Sequence, residues 1–98
     1  MPDMRRGPLK DVRVIELGQL VAGPFCGQMF ADMGADVIKV EPPGQGDPLR
    51  EWGREGFPLW WSVCARGKRC ITLNLREPEG QALLKRLVAG ADVLVENF

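Results

Sequence analysis

Residues 12–40 read VRVIELGQLVAGPFCGQMFADMGADVIKV, and the way this stretch divides decides the fold. Residues 12–17 are rich in β-branched side chains with partial alternation, which predicts a strand. Residues 18–23 form a short loop. Pro24 follows at a place suited to the first turn of a helix, where its missing N–H has no partner to lose. Phe25, Cys26, Met29, Phe30 and Met33 recur at helical spacing and define an apolar stripe. Gly34 supplies a left-handed cap. Residues 35–40 are a second apolar run, with Asp36 and Lys39 near its ends. A helix of about three turns between two strands is the pattern of a βαβ unit in a parallel sheet.

Outward from this core, residues 41–58 change character. They hold four prolines and four glycines, so they read as a surface excursion. Its length marks it as functional or as packed on another part of the molecule. Leu59, Trp60 and Trp61 predict a short helical turn. Residues 71–75 alternate as a third strand. Pro78 opens a second helix whose buried stripe is Leu83, Leu84, Leu87 and Val88, and Gly90 caps it. Residues 92–95 predict a fourth strand. The fold class is therefore α/β, a Rossmann-like parallel sheet with flanking helices in the order β-α-β-loop-β-α-β. Ligands in such sheets sit beyond the carboxyl ends of the strands. The last strand reaches that level at Asn97 and Phe98 with no helix after it, so the expectation is an incomplete domain.

Bulk properties exclude several function classes. Thirteen basic and thirteen acidic residues cancel, and the Arg5-Arg6 pair is too short to serve as a basic stripe for nucleic acid. No apolar run reaches the roughly 18–20 residues needed to span a bilayer, so no membrane partner is expected. Residues 1–11 lack the apolar core of a signal peptide. The three cysteines, Cys26, Cys64 and Cys70, are odd in number and lack C-x-x-C spacing. They point to neither a disulfide framework nor a zinc site. A reducing, cytoplasmic setting is the expectation. The chain has no histidine, which removes the commonest general base and the commonest metal ligand.

Three segments carry chemistry. The turn Gly18-Gln19-Leu20-Val21-Ala22-Gly23-Pro24 joins a strand to a helix N-terminus, where free N–H groups and the helix dipole favour an anion. By itself this signal is weak, and glycine geometry alone is the better explanation of the turn. Gly44-x-Gly46 lacks the following helix and third glycine of a dinucleotide loop. Lys39 and Glu41 beside it read as solvated charges. The basic run Arg66-Gly67-Lys68-Arg69-Cys70 has the fork geometry for phosphates, but on composition alone it is a solvated loop. Cys26 sits on the apolar stripe, and Cys64 and Cys70 have no histidine to activate them.

Four stretches taken together resemble one family. They are V-R-V-I-E-L-G-Q-L-V-A-G-P-F-C, A-D-M-G-A-D-V-I-K-V-E-P-P-G-Q-G-D-P-L-R, R-G-K-R-C-I-T-L-N-L-R-E-P-E-G and A-D-V-L-V-E-N-F. In this order and spacing the chain is similar to the amino-terminal segment of the family III coenzyme A transferases (the CaiB/BaiF family), from about Leu9 to Phe98.

The resemblance implies that residues 1–98 are the N-terminal part of a Rossmann-like coenzyme A-binding domain, without the catalytic segment and second domain. It implies coenzyme A contacts at Gln19, Leu20, Val21 and Ala22 in the first loop, and at Leu73, Arg76, Asn97 and Phe98. Arg76 stands where relatives commonly carry a lysine. Pro42 stands where many carry an arginine. The implied reaction moves coenzyme A between carboxylic acids through an aspartyl-anhydride intermediate, with the nucleophilic aspartate in a later segment. No catalytic residue and no metal ligand is expected within residues 1–98, and Asp32, Asp36 and Asp92 read as surface or strand-end residues. Acyl-CoA and a carboxylic acid are the implied partners. Coenzyme A enters as substrate rather than as a tightly bound cofactor. Relatives form interlocked homodimers. The rival expectations are an acyl-CoA racemase or epimerase of the same family, and a non-catalytic remnant.

Overall fold

A computed structural model describes residues 5–54 and 58–98. The chain runs β1 (Arg13–Glu16), α1 (Ala22–Asp32), β2 (Asp36–Glu41), a 3-10 turn (Pro48–Glu51), α2 (Leu59–Cys64), β3 (Lys68–Thr72), α3 (Pro78–Ala89) and β4 (Val93–Val95). The four strands form one sheet in the order β3-β2-β1-β4, and every pairing is parallel. This is the α/β fold expected from the βαβ pattern. Helix α3 carries the chain from one sheet edge to the other, so the winding reverses between β1 and β4. Such a reversal leaves a crevice at the carboxyl ends of those strands.

β1 and β2 are central and covered on both faces, so their apolar residues pack on both sides of the sheet and their inner charged residues are buried with them. Ile15, Leu17, Ile38 and Val40 form one half of the core, packed by Leu84, Leu87 and Val88 of α3. Val14, Ala35 and Val37 form the other half, packed by Phe30 and Ala31 of α1. Each such aliphatic side chain contributes about 1.5–3 kcal/mol by leaving water.

The structure corrects the apolar stripe read for α1. Phe25, Met29 and Met33 are half-exposed, and the helix buries Gly23, Pro24, Gly27 and Gln28 instead. The reason is close approach. A Cβ on Gly23 would stand 2.7 Å from the Gly18 Cα, and one on Gly27 would run into the Glu16 carboxylate. The helix lies on the sheet by its smallest residues, which leaves Phe25 and Met29 outside, while Phe30 of the stripe still packs against the core.

Other expectations shift as well. β3 starts at Lys68 rather than residue 71, so the basic run is a loop only at Arg66 and Gly67 and a strand from Lys68 on; pairing with Val37 through Glu41 sets the register. Leu83 is exposed while Leu84, Leu87 and Val88 face the core. Asp36 is buried, gripped by Arg13 at 3.1 Å and Arg69 at 2.7 Å. The excursion after β2 is partly internal, because Asp47 and Leu49 are each only 1% exposed. Gly34, with φ of 96°, does adopt the left-handed conformation read for it. Residues 55–57 of the excursion and residues 1–4 of the amino-terminal stretch lie outside the described residues.

Candidate functional site

The carboxyl ends of β1, β2 and β3 open into a cleft of about 320 Å³. Leu17 and Val40 reach it from β1 and β2, and Glu41, Pro42 and Pro43 wall it where β2 ends. Leu73, Asn74, Leu75 and Arg76 come from the chain after β3, and Gln19 and Phe98 close it. The cleft is therefore apolar at its base, with a guanidinium and a carboxamide at its mouth. That mixture suits an organic ligand carrying anionic groups.

Four of the eight residues implied by sequence meet here: Gln19, Leu73, Arg76 and Phe98. Leu73 is fixed by its N–H donating to the Glu41 carbonyl at 3.0 Å. The Arg76 N–H donates to Asn74 Oδ1 at 3.1 Å, a local turn that leads from β3 toward α3. Phe98 is 85% exposed.

Asn97 acts on the loop across the crevice. Its Oδ1 accepts from the Gln19 N–H at 2.9 Å, and its Nδ2 donates to the Gln19 carbonyl at 3.0 Å. This two-sided clamp ties the end of β4 to the loop after β1. Leu20, Val21 and Ala22 do not line the cleft. They lead from Gln19 into α1, which starts at Ala22 without a side-chain cap.

A buried ionic chain underlies that loop, and the sequence reading missed it. Glu16 and Lys39 occupy partner positions on β1 and β2. Lys39 Nζ lies 2.7 Å from Glu16 Oε2 and 2.7 Å from Asp47 Oδ2, and donates to the Gly18 carbonyl at 3.1 Å. Lys68 Nζ reaches Glu16 Oε1 at 2.5 Å and the Pro24 carbonyl at 2.8 Å. Two ammonium groups thus face two carboxylates with almost no solvent contact.

Burial pulls the Lys39 pKa down, yet its bonds to Asp47 and Glu16 outweigh that, and the net direction is upward. Burial dominates at Lys68 and leaves its pKa lowered despite Glu16. Asp47 moves down: burial opposes ionisation, but Lys39 and the N–H groups of Leu49 and Leu20 prevail. Glu41 follows the same logic, with burial overcome by Arg50 and by the Asp47 N–H. Arg50 grips both Glu41 oxygens, at 2.7 and 2.8 Å, and stacks 3.9 Å over the Trp61 ring. The available signal was opposite charges placed inside strands that a parallel sheet buries on both faces.

Among the described residues, no group of three or more His, Cys, Asp or Glu side chains could hold a metal ion. No helix among them is long and apolar enough to cross a membrane.

A parallel sheet with flanking helices and a mixed cleft at its carboxyl edge places the chain among the α/β proteins. Over residues 9–98 the chain matches the CoA-transferase family III, and it belongs to that family. It is 66% identical over 94 residues to the succinyl-CoA–D-citramalate CoA-transferase of Chloroflexus aurantiacus, covering 93% of this chain and 23% of that protein. It is 51% identical over 109 residues to the succinate–glutarate CoA-transferase of Agrobacterium fabrum, covering 100% of this chain and 27% of that protein. A crystal structure of a CaiB/BaiF family protein from Brucella suis superposes with a TM-score of 0.86 at 48% identity, over 96% of this chain and 26% of that one. The chain thus spans about a quarter of the length of these relatives.

Proposed function

We propose that this chain forms the coenzyme A side of an acyl-CoA:carboxylate CoA-transferase. The observation that carries the reading is the cleft where Gln19, Leu73, Arg76 and Phe98 converge at the carboxyl edge of the sheet. In this reading Arg76 pairs with phosphate of the coenzyme, and Leu73 and Leu17 supply an apolar wall. The loop at residues 19–22 borders the ligand and presents the start of α1 toward its negative charge.

The transfer itself requires a carboxylate nucleophile. Its oxygen attacks the thioester carbonyl, the C–S bond breaks, and coenzyme A leaves as thiolate from a mixed anhydride. Glu41 in the cleft wall and Asp47, which bonds to it, are unsuited to this. Glu41 is held by Arg50 and the Asp47 N–H, and Asp47 by Lys39 and two backbone N–H groups. Lone pairs engaged in this way are poor nucleophiles, and the low pKa values of both groups point the same way. In keeping with the family resemblance, the reading takes the nucleophilic aspartate from a later segment, beyond residue 98. Both relatives described above are named for succinyl or succinate chemistry, which supports succinyl-CoA as donor and a second carboxylic acid as acceptor.

The test is coenzyme A exchange by the full-length protein, from succinyl-CoA to a panel of dicarboxylates. Arg76→Ala raises KM for the thioester by about tenfold or more, as expected when a charge-assisted phosphate contact is lost, with a smaller change in kcat. Absence of any thioester exchange, or an unchanged KM in the variant, overturns the reading.

A further inference from the structure

Leu20 is the one non-glycine residue with a positive φ, 63°, among the described residues. Left-handed backbone is unfavourable for a residue with a Cβ and persists where the surroundings hold it. The holding group is Asp47. Its Oδ1 accepts from the Leu20 N–H at 3.0 Å and from the Leu49 N–H at 2.9 Å, while its Oδ2 lies 2.7 Å from Lys39 Nζ. Lys39 in turn donates to the Gly18 carbonyl at 3.1 Å. The residues on both sides of Gln19 are therefore pinned by one buried ion pair. Gln19 itself faces the cleft, whereas Asp47 and Lys39 do not line it. Asp47 is anchored independently of the loop, since its own N–H donates to Glu41 Oε1 at 2.9 Å.

We infer that Asp47 and Lys39 are positioning residues that preset the Gln19 turn for coenzyme A, an inference that rests on the coenzyme A reading of the cleft. A turn left to relax would release Leu20 to negative φ and rotate the Gln19 peptide away from its Asn97 clamp. The ligand would then have to order the turn on binding, at a cost in affinity.

Two substitutions separate positioning from plain stability. Asp47→Ala removes both the acceptor for Leu20 and the counter-charge for Lys39. Asp47→Asn keeps an oxygen for the two N–H groups but loses the charge and the acceptor that face Lys39. The full-length protein is titrated with coenzyme A by calorimetry, and thermal unfolding is followed in parallel. Both variants melt lower than the parent. Asp47→Ala binds coenzyme A about tenfold more weakly, while Asp47→Asn stays within about threefold. A second pair guards against an Asp47→Ala that fails to fold. Leu20→Pro removes the N–H and forces negative φ without disturbing the ion pair, so it loses affinity to a similar extent; Leu20→Gly keeps both features and binds normally. Equal affinity in all four variants, or equal loss in Asp47→Ala and Asp47→Asn, overturns the inference. Arg76→Ala run alongside distinguishes the two levels. If it weakens binding while the Asp47 and Leu20 variants do not, the site stands and the positioning role falls. If it too is without effect, the site itself is wrong.

Discussion

Glu16 and Lys39 face each other across adjacent parallel strands, with their charged atoms 2.7 Å apart and no more than 1% of either side chain exposed. An ion pair so placed contributes little net stability, because desolvating both charges cancels most of their attraction. Its geometry matters more. Lys39 is shared with Asp47 and Glu16 with Lys68, so the pair couples the carboxyl end of β1 to the loop after β2 and to the start of β3.

Removing one member leaves its partners charged and buried. Lys39→Met should destabilise the full-length protein by about 3–5 kcal/mol, the usual cost of a broken buried pair. Lys39→Met combined with Asp47→Asn removes one of the stranded charges, and should be less destabilised than the sum of the two single changes. Denaturant unfolding of the four proteins as a double-mutant cycle measures this. Strict additivity would mean that the two groups do not interact.

The same network sets a pH limit. Asp47 and Glu41 are held below their ordinary values of 3.8 and 4.5. Groups lowered in the folded state bind fewer protons than in the unfolded chain. Their stabilisation is complete above the unfolded values and is lost as pH falls through the folded ones. The stability difference between the parent and Asp47→Asn should therefore be largest near neutrality and shrink below about pH 4. Chemical denaturation between pH 3 and 7 reads it. A difference that stays constant across that range would show that the Asp47 charge plays no part.

Much of the architecture was legible because periodicity reports burial directly. The runs around Val14–Ile15 and Val37–Ile38 read as strands, though not as the central pair of the sheet, and Pro24, Gly34 and Pro78 marked helix ends. Two things escaped. Helix α1 packs through Gly23 and Gly27, and small residues carry no hydrophobic signal, whereas the exposed Phe25 and Met29 carry a strong one. Lys39, Lys68 and Asp47 looked solvated because charge normally means surface. Their burial depends in part on partners 20 or more positions away, Glu16 for both lysines and Leu20 for Asp47, for which a single sequence offers no pairing information. The cleft lay between these extremes. The resemblance pointed to Gln19, Leu73, Arg76 and Phe98 and to the position of Pro42, but the walls formed by Pro43, Asn74 and Leu75 required the three-dimensional course of the chain.

The close approach of α1 gives a sharp steric test. A Cβ at Gly23 would lie 2.7 Å from the Gly18 Cα and 2.9 Å from Asn97 Oδ1. Alanine improves helix propensity by about 1 kcal/mol over glycine. Overpacking against backbone costs about 1–3 kcal/mol and should win. Gly23→Ala is therefore expected to lower the melting temperature. An increase would show that α1 can lift from the sheet without penalty.

Asn97 offers the most direct handle on the loop. Both of its amide atoms are engaged with the Gln19 backbone, one as acceptor and one as donor. Asn97→Asp keeps the acceptor for the Gln19 N–H but sets a carboxylate oxygen against the Gln19 carbonyl. Asn97→Leu loses both bonds. If the clamp holds Gln19 for the ligand, the thioester KM should rise in the order parent, aspartate, leucine. The leucine variant should be about tenfold or more above the parent, the scale expected for two lost hydrogen bonds. Asn97 lies on an exposed edge, so global stability should fall by no more than about 1 kcal/mol. Michaelis constants and unfolding midpoints measured on the same preparations separate the two effects. A KM that is flat across the series would remove Asn97 from the site and leave it as a tie between β4 and the loop.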